Sequence, residues 1–255
     1  MNGTPPRQRT VDDVAAPYGN YLLPVPSRGT GVCTVCRTAV GEFRTCYQCH
    51  EAKRLLGAGR ADAVAFVSLA PRGEQLAREL FTYKQNTVAE AQRRRMMFGL
   101  AAVLWKWLGM HEHCIAALVG SQQFDIVTSV PSTSGRSVHP LREVVSGIVT
   151  GTDVRYRDLL TRRRYDVPQH EHCSDLFGAD RGARGASVLV IDDTWTAGAR
   201  AQSASVALKA AGARNVGVAV IGRWLNPGYA DNRAWLTQHR KPWTWDACCL
   251  ESPGD

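Results

Sequence analysis

The run VLVIDDTWTAGAR, beginning at Val188, constrains the fold of this chain more than any other segment. Ser187 to Ile191 are nearly all apolar and read as a strand buried on both faces, as in a parallel sheet. The strand delivers Asp192 and Asp193. Thr194, Trp195, Thr196, Ala197, Gly198, Ala199 and Arg200 follow as a small turn. A small-residue helix fits 199–211, with Gly212 as its stop. Two carboxylates are thus placed at the C-terminal edge of a parallel sheet, where ligands bind in such folds. The turn opens a helix, whose free amides and positive dipole end can cradle a phosphate. Carboxylates accept hydrogen bonds from hydroxyls while amides grip phosphate, so the unit suits a sugar phosphate. On the residues alone, a helix cap facing solvent stays open as the alternative for both acids.

The rest of the chain fits the same architecture. Ala65–Leu69, Phe124–Val130 and Val216–Ile221 read as strands. Residues 73–81, 87–109 and 139–150 carry helical patterns. Strand–helix–strand order predicts an α/β fold with a doubly wound, mostly parallel sheet. Residues 1–28 hold five prolines and read as a flexible tail. The large domain is expected over 60–225. Residues 226–255 form an extension with three tryptophans and no readable pattern.

Between tail and large domain, Cys33-x-x-Cys36 is followed nine residues later by Cys46-x-x-Cys49. Each pair can form a knuckle with two thiolates facing one point. Two knuckles complete a closed tetrahedral sulfur shell, which suits structural zinc. A zinc-binding module with a core of its own is therefore expected over 29–56. A closed shell leaves no open position for catalysis. Cys114, Cys173, Cys248 and Cys249 lack ligand spacing, and the adjacency of the last two disfavours both a disulfide and a shared metal.

No apolar run approaches the ~18 residues needed to span a bilayer, and MNGTPPRQRT lacks a charged-then-apolar signal pattern. A cytoplasmic protein without membrane contact is expected, and reducing cytosol favours metal over disulfide for clustered cysteines. The formal charge of +8 attracts polyanions, whether nucleic acid, polyphosphate or phosphorylated sugar. A homo-oligomer is compatible with the sequence.

VLVIDDTWTAGAR resembles the phosphoribosyl-pyrophosphate (PRPP) motif of type I phosphoribosyltransferases: an apolar strand, two acids, then a threonine- and glycine-rich loop. Asp192, Asp193, Thr196 and Gly198 match it. From about Cys33 to Trp224 the chain looks most like the ComF-like competence branch, which joins a four-cysteine zinc module to a phosphoribosyltransferase domain. Tyr83-Lys84, the strand and loop Asp125 to Arg136, Gln169 and Gly222-Arg223 fall in the matching order.

The resemblance implies phosphoribosyl transfer from PRPP to a nitrogen acceptor, with release of pyrophosphate. Asp192 and Asp193 would hold the ribose hydroxyls and serve catalysis. Thr196, Ala197, Gly198, Ala199 and Arg200 would wrap the 5-phosphate, with Thr194 and Trp195 also part of the PRPP site. Ser132, Thr133 and Lys84 would complete the PRPP site, and magnesium would bridge pyrophosphate and ribose. The arginine-rich segment 155–184 sits where the family has a mobile loop, and a solvated loop is the alternative for it. Ala197 replaces a common threonine and Arg200 a usual small hydroxyl residue. These departures keep two further readings open: a non-catalytic PRPP or nucleotide sensor, and a DNA-uptake or processing factor that binds nucleic acid without sequence preference.

Overall fold

The computed structural model describes residues 9–132 and 139–250. The chain enters through a short helix, α1 (Val11–Ala15), closed by a capping box. The Thr10 hydroxyl accepts the Asp13 amide at 3.2 Å, and the Asp13 carboxylate accepts the Thr10 amide at 2.9 Å. Pro17 then opens a 3₁₀ turn over Ala16–Asn20. Tyr18 and Leu22 bury themselves in the main core, and Leu23 bridges to Leu69. The reading of 1–28 as a loose tail is therefore corrected from Thr10 onward. Its prolines set turns and do not prevent packing. Gly99 makes room for this segment, because a Cβ there would overlap the Tyr18 hydroxyl.

A small antiparallel pair follows, β1 (Gly31–Val32) with β2 (Ala39–Gly41), then α2 (Tyr47–Leu56). The main body comprises β3 (Ala63–Pro71), α3 (Gln75–Thr82), α4 (Glu90–Leu118) and β4 (Ile126–Ser129). Then come α5 (Pro140–Glu143), the short pair β5 (Leu160–Arg162) and β6 (Phe177–Ala179), β7 (Ser187–Trp195), α6 (Ala199–Ala210) and β8 (Asn215–Leu225). A last helix, α7 (Asn232–His239), lies in the C-terminal extension.

Four strands form the central sheet in the order β3-β8-β7-β4, and every neighbouring pair is parallel. The α/β class expected from the sequence is thus observed. Helices flank the sheet: α3 and α4 pack on β3 and β8, and α6 packs on β7 and β8. All nine residues of β3 are buried although it is an edge strand, and Leu23 bridges to its Leu69.

Two elements differ from expectation. Residues 139–150 form one short α-helical stretch followed by a π turn, Val144–Ile148, in which the Val149 amide reaches the Val144 carbonyl at 3.0 Å. Three β-branched residues and Gly147 make this stretch a poor α former. The Thr152 hydroxyl sits 2.7 Å from the Val145 carbonyl and 2.8 Å from that of Val149. Second, the cysteine segment has no core of its own. Cys33, Cys36 and Cys49 belong to the same buried cluster as the sheet residues.

Candidate functional site

β7 runs longer than its apolar stretch. Asp192 pairs with Val220, Thr194 with Gly222 and Trp195 with Arg223, so the acids sit inside the ladder and not beyond it. The turn closes at Gly198, whose φ of +80° is left-handed and favours glycine. A Cβ at that position would also overlap the Trp195 ring. Trp195 is 1% exposed and meets Phe66 edge to face at 5.5 Å. Its indole lies under the loop and not in the ligand space. α6 begins directly after Gly198, so its first amides face the turn.

A cleft of about 250 Å³ opens over this unit, lined by Lys84, His139, Gln169, Asp192, Asp193, Thr194, Thr196 and Arg200 among others. Of the residues expected to hold the sugar phosphate, Trp195, Ala197, Gly198 and Ala199 do not line it, and all four are buried. Val130 and Pro131 line the cleft, whereas Ser132, the next residue, is not among its lining. Thr133 lies outside the described residues.

The two acids differ sharply. Asp193 is 4% exposed. It accepts a hydrogen bond from the Tyr83 hydroxyl and another from Lys84 Nζ at 3.0 Å, with His139 Nε2 at 3.7 Å. Burial alone would raise its pKa. The charges of Lys84 and His139 and the bonds from Tyr83 and Lys84 overcome that and hold it below the usual carboxylate range. Among the described residues, Asp192 accepts only the Asp193 amide, at 2.9 Å. Burial, and then the charge of Asp193, push Asp192 up to about 7.

Arg200, which also lines the cleft, is under-bonded. Arg200 Nε and Nη1 are buried without a hydrogen-bond partner among the described residues, as is Thr194 Oγ1. Burial, and then the nearby Arg162, lower the Arg200 pKa. Guanidinium nitrogens buried without partners are costly, and an anion placed against them relieves the cost. Thr196 Oγ1 lies 3.3 Å from His170 Nδ1, which ties the segment before β6 to the loop.

Other arginines of segment 155–184 are engaged elsewhere. Arg155 grips Glu112 through two nitrogens, one at 2.8 Å, and Arg164 pairs with Asp166 and Asp175. None of them lines the cleft.

No family model matches this chain, and no curated protein matches it.

The second candidate centre is the four-cysteine group. The sulfurs of Cys33, Cys36, Cys46 and Cys49 all lie within 4.8 Å of one another, and Cys36 and Cys46 are 3.5 Å apart. Tetrahedral zinc with bonds of ~2.3 Å needs sulfurs roughly 3.8 Å apart. The group can therefore hold a metal such as zinc. The Cys36 and Cys46 amides point at Cys33 Sγ at 3.5 and 3.4 Å, a pattern that favours thiolate.

Arg223, at the end of β8, joins the two centres. Its Nε donates to the Cys36 carbonyl at 2.7 Å and its Nη2 lies 3.4 Å from Cys36 Sγ. Its Nη1 donates to the Trp195 and Thr196 carbonyls, each at 3.1 Å. One buried guanidinium thus spans a cysteine knuckle and the loop between β7 and α6. The sequence marked Arg223 only as the end of a strand. Tyr83 and His139 were likewise visible as residues, but their convergence on Asp193 depends on three segments far apart in the chain.

Proposed function

We propose that the cleft binds PRPP and that the protein transfers its phosphoribosyl group to a nitrogen acceptor, with release of pyrophosphate. The observation that carries this reading is one cleft lined by both acids, with Asp193 fixed by Lys84, and by Arg200, two of whose guanidinium nitrogens are buried without a partner. Such a site wants a molecule with hydroxyls at one end and phosphate at the other. A cleft of about 250 Å³ lies near the small end of ligand sites and suits a sugar phosphate better than a dinucleotide. The parallel sheet and the likeness of the Val188–Arg200 run to the type I phosphoribosyltransferase motif support the same choice of fold and ligand.

In this reading the ribose hydroxyls donate to Asp192 and Asp193. Lys84 and Tyr83 hold Asp193 in place and ionised. The 5-phosphate accepts from the α6 amides, the Thr196 hydroxyl and Arg200. Positive charge that develops on the ribose ring during transfer faces two acids, which lowers the barrier electrostatically. Magnesium, when bound with PRPP, would neutralise the pyrophosphate. Asp192 is the carboxylate open to it, because Asp193 is occupied by Tyr83 and Lys84. The four cysteines would hold structural zinc. A reducing compartment such as the cytoplasm suits that site.

The test is turnover. Purified protein with PRPP and magnesium would be assayed for pyrophosphate across a panel of nitrogenous bases and amines. Release with at least one acceptor, abolished in Asp193→Asn, is the expected result. PRPP binding without release across the panel would mean a sensor, not an enzyme.

A further inference from the structure

The fold brings together three ligands that sequence spacing keeps apart. His111 and Cys114 lie one turn apart on α4, and Cys248 arrives from the far end of the chain. Their ligand atoms all lie within 4.8 Å of one another. His111 and Cys248 are buried and Cys114 is half-buried.

The imidazole is already oriented. One ring nitrogen, Nε2, lies 2.6 Å from the Trp245 carbonyl, and the ring packs on Trp107 at 5.1 Å. A carbonyl can only accept, so Nε2 carries the hydrogen and Nδ1 keeps a lone pair. Metal-binding histidines are commonly held this way, with the second nitrogen on a carbonyl or carboxylate. Cys249, the neighbour of Cys248, reaches the Phe66 carbonyl at 3.9 Å and its thiol also contacts that of Cys248.

We propose that His111, Cys114 and Cys248 form a second metal site, for a soft ion such as zinc, separate from the four-cysteine centre. Two thiolates and one neutral imidazole make a three-ligand set with a fourth position left for water or a further donor. His113 Nε2 lies 3.4 Å from Cys114 Sγ on the exposed side but outside the three-residue group, which leaves the fourth position to water. Binding releases the two thiol protons and changes no oxidation state. The bound ion staples the C-terminal extension to α4, next to the contact that Lys106 makes over the Trp245 ring at 4.8 Å.

Full-length protein purified under reducing conditions would be loaded with zinc, desalted, and its metal measured by plasma emission. The expected content is about two equivalents in wild type and about one in both Cys248→Ser and Cys46→Ser. Cobalt in place of zinc should give two separable thiolate-to-metal bands, one absent from Cys248→Ser. Limited proteolysis near Lys241 should be faster in that variant and in chelated wild type. Wild type holding one equivalent, lost in Cys46→Ser and retained in Cys248→Ser, would overturn the second site and leave the first standing. A Cys114–Cys248 disulfide in intact mass after reduction and zinc loading would overturn it as well.

Discussion

Asp192 and Asp193 share a backbone step and a cleft but not an electrostatic environment. Asp193 is ionised because Lys84, His139 and Tyr83 outweigh its burial. For Asp192, burial and then the Asp193 charge outweigh Lys84, the Asp193 amide and Arg200, and lift it to about 7. The folded pKa of Asp192 thus exceeds its unfolded value near 4. Between those values the folded protein holds a proton that the unfolded chain has released, so this residue's contribution to stability falls as pH rises through the window. Asp192→Asn should flatten that slope and stabilise the protein by about 1–3 kcal/mol above pH ~8. Urea unfolding across pH checks this, and an unchanged profile would refute the assignment. The same titration should strengthen sugar binding as pH rises through about 7, since only the carboxylate form accepts from two hydroxyls. The adjacency of the two acids was legible in the sequence. Which of them is charged was not, because its partners come from α3's end and from the stretch before α5.

At the scale of elements, the loop between β7 and α6 is held from below and from the side. Trp195 supports it from the core, and Gly198 turns it in a backbone region where other residues are strained. Gly198→Ala should cost on the order of 2–4 kcal/mol, since it combines a left-handed φ with overlap on a buried indole. Arg223 holds the loop from the side. Arg223→Ala orphans the Cys36, Trp195 and Thr196 carbonyls and should destabilise by about 3–5 kcal/mol. Arg223→Lys should recover part of that, since an ammonium lacks the fork that reaches both sides. Equal stability of wild type and Arg223→Ala in urea would remove this link. The strands were readable because buried parallel strands are continuous apolar runs, as Val188–Ile191 and Val216–Ile221 are. The last four residues of β7 were not, because two acids and a threonine look like a loop until β8 is seen beside them. Segment 10–28 escaped for a similar reason: its anchors, Tyr18 and Leu22, are isolated apolar residues among prolines.

For the whole molecule, the shared core is the main consequence. With Cys33, Cys36 and Cys49 packed among the sheet residues, the metal centre and the α/β body should unfold together. Cys33→Ser, or chelation of the metal, should lower the melting temperature of the entire protein by at least roughly 5 °C in one transition. A second transition left unshifted would mean two independent units. The charge of +8, on a chain in which no base-reading motif is evident, leads us to propose that nucleic-acid binding, where it occurs, is electrostatic. Its affinity should fall steeply between low and physiological salt. Among the described residues, no helix is long and apolar enough to cross a membrane.

The central claim is that Asp192, Asp193 and Arg200 frame a PRPP site. Calorimetric titration of PRPP with magnesium tests it most directly, using wild type, Asp193→Asn and, as a control, Asp231→Asn on the exposed start of α7. The account predicts binding in wild type and in the control. In Asp193→Asn, loss of charge-assisted hydrogen bonds should cost on the order of 1.5–3 kcal/mol, a roughly tenfold to more than hundredfold weaker affinity. No heat in folded wild-type protein at millimolar PRPP, or equal affinity in Asp193→Asn and wild type, would contradict it.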